Sequence, residues 1–125
     1  MIRLTEQQVI SVHSMMTKMT GGLDGIRDHE MLDSALNAPF QTFDGNELYP
    51  SLLEKAAAMC RSIISNHPFV DGNKRAGIHV MLIFLELNGI ELQYTQGELV
   101  ELGLGAASGQ LGYDKILNWL NEHTK

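Results

Sequence analysis

One cysteine, Cys60, occurs in 125 residues, so no internal disulfide can form and the fold must rest on a packed core; a reducing compartment suits it. Zinc spacing is missing too: His13, His29 and His123 stand at no ligand interval from the cysteine or the carboxylates. Surplus positive charge is absent, with a formal net charge of -6. That excludes sequence-independent nucleic-acid binding, which needs a concentrated basic surface to displace counterions, and no direct nucleic-acid partner is expected. Long apolar runs are absent as well. The longest, Ile78 to Leu87, is too short to span a bilayer and contains His79 and Glu86. Met1 to Met19 is broken by Arg3, Glu6, Gln7, Gln8, His13 and Lys18, unlike a signal peptide. No membrane association is expected, and a cytoplasmic location is. There is no repeat, low-complexity tract or linker, so residues 1–125 are expected to form a single domain, large enough to bury a core.

What is present is mostly helical periodicity, punctuated at the ends. Thr5 and Gln8 have the spacing of a capping box, followed by a stripe of Val9, Val12, Met16 and Met19 that stops at Gly21-Gly22. Asp28 caps a second helix bearing Met31, Leu32, Ala35 and Leu36, ended by Pro39. Asp44-Gly45, between Gln41-Thr42-Phe43 and Glu47-Leu48-Tyr49, predicts a short hairpin or flap. Pro50 suits the first position of a third helix, with Leu52, Ala56, Met59, Cys60, Ile63 and Ile64 at helical spacing. A fourth helix, Lys74 to Asn88, is apolar on nearly every side and should run through the middle of the protein. Thr95 and Glu98 cap a fifth, ending near Gly109, and Tyr113 to Glu122 forms the last.

Between the third and fourth helices lies His67-Pro68-Phe69-Val70-Asp71-Gly72-Asn73-Lys74-Arg75. Pro68 ends the preceding helix near Asn66 and predicts an extended His67 at its mouth. Gly72 lets the stretch from Asp71 to Lys74 turn its N–H groups toward one point as an anion-binding nest. The next helix adds unpaired N–H donors and the positive end of its dipole there. Lys74 and Arg75 bring full charges, the latter with a planar fork suited to phosphate oxygens. Read blandly, the same residues are a turn, a helix cap and a solvated first turn. His79, on the apolar helix, is expected to be a core or near-site histidine, and His13, His29 and His123 surface or structural ones. Cys60 is expected in the core.

The nine residues resemble the signature of the Fic/Doc superfamily, and Lys74 within them resembles its death-on-curing (Doc) branch. The Gly-Gly end of the first helix, the flap and Gly105-Ala106-Ala107-Ser108-Gly109 extend the likeness over most of the chain. The resemblance implies an all-α Fic/Doc fold of about six helices with a short hairpin-like flap. It implies His67 as the base that takes a proton from a hydroxyl of a target protein, a role suited to neutral imidazole. Asp71 would be the Mg²⁺ ligand, a hard oxygen for a hard cation. Gly72 and Asn73 would supply the nest and Lys74 and Arg75 would neutralise phosphate charge, so that Phe69, Gly72, Asn73, Lys74 and Arg75 form the nucleotide-binding set. Phe69 is expected to point inward and anchor the loop.

AMP-transferring members resemble Gly-Asn-Gly-Arg-x-x-Arg here, whereas this chain has Lys74 in place of that second glycine and Ile78 in place of the second arginine. In the Doc branch this pattern goes with a reversed nucleotide, so the implied activity is transfer of the γ-phosphate of ATP to a hydroxyl side chain. By the same resemblance the target is a translation factor, with elongation factor Tu the leading candidate, and the outcome is arrested translation. No stretch matches the family's inhibitory Ser/Thr-x-x-x-Glu-Gly/Asn helix, which implies control by a small antitoxin protein. The flap near Thr42 to Leu48 would align the target segment by strand addition. AMP transfer and a non-catalytic binding module are the alternatives.

Overall fold

The computed structural model describes residues 1–125. Six helices and one hairpin follow the order α1 (Glu6–Thr20), α2 (His29–Asn37), a 3₁₀ turn (Ala38–Phe40), β1 (Thr42–Phe43), β2 (Asn46–Glu47), α3 (Leu52–Asn66), α4 (Asn73–Leu87), α5 (Gln96–Ala107) and α6 (Tyr113–His123). The expected all-α architecture with a flap is therefore the one observed. No helix is long and apolar enough to cross a membrane.

Local chemistry sets the helix ends. Three helices open on reciprocal capping boxes, Thr5 with Gln8, Ser51 with Glu54 and Thr95 with Glu98, each satisfying two backbone donors that no helix can satisfy internally. The second of these corrects the expectation for Pro50. Helix α3 begins at Leu52 with Ser51 as cap, because a side-chain oxygen that accepts from an orphan N–H outweighs proline's favourable φ. Asp28 caps α2 by accepting from Glu30 and Met31. In the hairpin Thr42 pairs with Glu47 and Phe43 with Asn46. Asp44 and Gly45, both at positive φ (52° and 80°), make a tight turn whose twist matches that of the strands.

The core is centred on the packing of α3 against α4. Met59 and Ile63 of α3 and Met81, Phe84 and Leu85 of α4 are almost fully buried, each contributing about 1.5–3 kcal/mol by leaving water. Cys60 is buried with them, and burial pushes its thiol up to about 12, which leaves it an inert core residue. The α1 stripe differs from the expectation. Its buried face is Val9, His13 and Thr17, whereas Met19 is 82% exposed, because residues four apart share one face of a helix and Met19, two positions beyond Thr17, points away from it. Lys55 is completely buried in α3, where it donates to Glu47 Oε1 at 2.9 Å and to the Tyr49 carbonyl. That ammonium ties the hairpin to the core.

Candidate active site

The nine-residue motif forms the turn between α3 and α4. His67 caps α3 in the left-handed region, φ 48° and ψ 54°, not in the extended conformation that Pro68 favours. Its N–H still bonds Ile63 O, and the Arg27 guanidinium donates to the carbonyls of His67 (2.6 Å) and Asn66 (2.9 Å). Bonds from a charged donor to these otherwise orphaned carbonyls offset the strain of a non-glycine residue at positive φ. The imidazole is exposed and lines an open cavity. Its Nδ1 lies 3.2 Å from the Ser65 carbonyl, an oxygen that can only accept, so Nδ1 carries the proton. In the neutral ring Nε2 is then left with a free lone pair.

The cavity has a volume of 470 Å³ and is walled by residues 67 and 70–75 on one side and by Gly103 and Ala107 of α5 on the other. Helix α4 starts at Asn73, with Gly72 (φ 75°) as its cap residue and no side chain bonded to its first N–H groups. The amides of Asn73, Lys74 and Arg75 thus have no intrahelical acceptor, and the positive end of the dipole reaches the cavity. Neither Lys74 nor Arg75 takes part in an ion pair. Lys74 Nζ donates to the carbonyl of Ala107, at the end of α5, at 3.3 Å. Arg75 donates to Thr20 Oγ1 at the end of α1. Two uncompensated cations at an uncapped helix N-terminus suit an anion such as phosphate.

Asp71 is held from two directions. Its Oδ1 accepts from Gly72 N at 2.8 Å and its Oδ2 from Leu23 N at 3.1 Å. A Cβ on Gly22 would stand 2.9 Å from that Oδ2, so of the two glycines after α1 the first caps the helix and the second makes room for the carboxylate. Each oxygen keeps a lone pair free. No cluster of three His, Cys, Asp or Glu side chains is present. A cation here would take one protein carboxylate and complete its shell from phosphate and water, an arrangement Mg²⁺ accepts.

Two residues of the expected nucleotide-binding set face elsewhere. The Phe69 side chain is 1% exposed and outside the cavity, stacked on His13 with ring centroids 3.9 Å apart. It anchors the loop and, as a contact of the nucleotide, is corrected: the apolar ring gains more from burial than the open cavity offers. The Asn73 side chain is committed to the loop, accepting from Phe69 N (2.9 Å) and donating to Phe69 O (3.0 Å), which leaves its backbone N–H for the nest. His79 is exposed rather than a core residue. Shielding by its surroundings and the Arg75 guanidinium hold its imidazole below the ordinary value.

The sequence reading missed what braces the motif from behind. Ile26 bridges Phe69, Arg27 and Asp28 donate to the Pro68 carbonyl, and Val70 donates to Gly25. His13, expected at the surface or in a structural role, is 1% exposed and bonded to the Asp71 carbonyl. Its four-residue spacing from Val9 and Thr17 was a signal, because a buried polar side chain implies an internal partner. Arg27 gave no such signal. A second cavity, of 710 Å³, lies around residues 82–94 and Lys125; it contains no motif residue, so the smaller cavity is the one where the chemistry converges.

A model of the Fic/DOC family matches residues 3–85, which carry α1 through most of α4. The chain is 43% identical over 72 residues to the protein called Toxin Doc of Mycolicibacterium smegmatis, covering 58% of this chain and 55% of that protein, so it spans about half of that relative's length. It is 27% identical over 120 residues to the protein called Protein kinase doc of Escherichia phage P1, covering 96% of this chain and 94% of that one.

Proposed function

The chain belongs to the Fic/DOC family, and from that premise we propose that it is a Doc-like toxin that transfers the γ-phosphate of ATP to a hydroxyl side chain of a translation factor, elongation factor Tu being the leading candidate. The reading is carried by one observation. His67, whose Nε2 makes no hydrogen bond within the protein, and the uncapped, cationic N-terminus of α4 line the same cavity. In the proposed reaction the target hydroxyl is bonded to Nε2, and its oxygen attacks the γ-phosphorus as its proton passes to the imidazole. The bond from the γ-phosphorus to the β,γ-bridging oxygen breaks, and ADP leaves with that oxygen. The N–H groups of Asn73, Lys74 and Arg75, with the two cations, stabilise phosphate charge throughout, which is most of what such a transfer asks of a protein. Mg²⁺, held by Asp71, would supply additional charge neutralisation when bound.

The relative from phage P1 is named a protein kinase and the mycobacterial one a toxin; both names support this reading, and the second implies an antitoxin partner. Phosphate rather than AMP transfer is supported by Ile78, which is 6% exposed and packed in the core and offers no donor to a second phosphate subsite. The exposed hairpin β1–β2, with Phe43 75% exposed, suits a flap that aligns an extended target segment. The test uses ATP labelled separately at its α and γ positions, incubated with a bacterial lysate and Mg²⁺. Label is expected on a protein acceptor from the γ position, and none with His67→Ala. Label from the α position alone would make the chain an AMP transferase, and transfer undiminished in His67→Ala would remove the histidine from the mechanism.

A further inference from the structure

His13 lies behind the cavity and touches nothing inside it, yet it is among the most buried polar residues of the chain, at 1% exposure. Its ring stacks on Phe69 at 3.9 Å with 3° between the planes. Its Nε2 is 2.6 Å from the backbone oxygen of Asp71, and since a carbonyl can only accept, Nε2 carries a proton. The other nitrogen faces Asp24 Oδ1 at 3.6 Å, and Asp24 is in turn held by Ser14 Oγ and its neighbour's amide, Gly25 N, both at 2.8 Å. A buried polar ring needs partners that an apolar side chain would not. This one spends its bond on a single peptide group.

That peptide group joins Asp71 to Gly72, and it is planar. Its carbonyl accepts from His13, and its opposite edge, the Gly72 N–H, donates to Asp71 Oδ1 at 2.8 Å. Fixing the oxygen fixes the plane, fixing the plane aims the N–H, and the N–H turns the carboxylate. We propose that His13 is a positioning residue: through the Asp71–Gly72 peptide it sets the orientation in which the Asp71 carboxylate meets a divalent cation. The proposal rests on the reading of Asp71 as a Mg²⁺–ATP ligand. Partners that orient a ligating side chain typically change metal affinity about 10–100-fold when removed.

The test pairs His13→Phe, which keeps the stack and removes the donor, with His13→Gln, whose amide can restore a donor near the position of Nε2. Calorimetry with Mg²⁺–ATP is expected to give a dissociation constant about tenfold or more weaker for His13→Phe, with partial or full rescue in His13→Gln. Metal-free ATP should lose much less, because the helix N-terminus and the cations remain. Without any ligand, the Gly72 amide resonance should shift and its exchange quicken in His13→Phe and return toward wild type in His13→Gln. Should His13→Phe fail to fold, ¹⁵N-histidine spectra of the wild type decide, where a proton on Nε2 supports the proposal and a ring protonated only on Nδ1 overturns it. Wild type that binds Mg²⁺–ATP, with His13→Phe equal to it in affinity and in the Gly72 signal, overturns the proposal alone. Wild type that binds no Mg²⁺–ATP overturns the nucleotide reading and the metal-positioning role with it, and the Gly72 amide then reports only whether His13 holds the turn.

Discussion

Replacing Asn73 by alanine should cost stability on the scale of a core truncation, although the residue lies at the mouth of the cavity. Its side chain is 8% exposed and makes two bonds to one residue, accepting from Phe69 N at 2.9 Å and donating to Phe69 O at 3.0 Å. Phe69 is itself buried, so both backbone groups would be stranded away from water. A buried group left without its partner costs about 1–3 kcal/mol, and two give about 2–6 kcal/mol against the roughly 5–15 kcal/mol that holds an ordinary domain folded. Equilibrium urea unfolding measures this as a lower midpoint at unchanged slope. Asn73→Ala at helix position N1 has no propensity cost of its own to confuse the result. A loss under about 0.5 kcal/mol, the range of a neutral surface change, would refute the view that this amide is the internal strut of the loop.

Further predictions concern the scaffold around the site. A Cβ at Gly77 would stand 3.0 Å from the Cys60 carbonyl and 3.1 Å from Ile64 Cγ1, so Gly77→Ala should destabilise the α3–α4 packing by about 1–3 kcal/mol despite alanine's better helix propensity; a rise in thermal midpoint would refute it. Lys55→Met should free the hairpin from α3, since it removes the donor to Glu47 and Tyr49, and amide exchange at Leu48, bonded to Gln41 O, should quicken; unchanged exchange would count against the tether. His123 donates from Nδ1 to the Trp119 carbonyl at 2.6 Å and pairs through Nε2 with Glu98 at 2.5 Å. The Trp119 carbonyl first, and then Glu98, raise its imidazole above 6.5. Chiefly the backbone bond at Thr95, and then His123, lower the Glu98 carboxyl below 4.5. The raised histidine stabilises the fold fully below about 6.5 and ceases to as pH rises through its folded value; the lowered acid stabilises above about 4.5 and ceases to as pH falls through its own. The stability advantage of wild type over His123→Gln should therefore peak between about pH 4.5 and 6.5 in urea titrations, and a flat difference would remove the pair from the account.

Most of the architecture was legible in the chain because its signals are local. Capping boxes at Thr5 and Thr95, the Asp28 cap, the Asp44-Gly45 turn and the glycine after α4 act within one turn of backbone, where residue type alone decides which N–H finds an oxygen. The motif residues were legible for the same reason: nine neighbours in sequence remain neighbours in space, and His67, Asp71, Gly72, Lys74 and Arg75 do line one cavity. Tertiary structure decided which way each of them faces. His67 adopts a left-handed conformation because Arg27, forty positions earlier, bonds its carbonyl, and the peptide after Asp71 is held by a histidine fifty-eight positions away. Periodicity could mark His13 as buried, but no pattern names a partner at that separation, since the partner depends on where α1 and the loop after it come to rest against α4. A chain can announce which groups will handle a phosphate; the angle at which they meet it is set by whatever packs behind them.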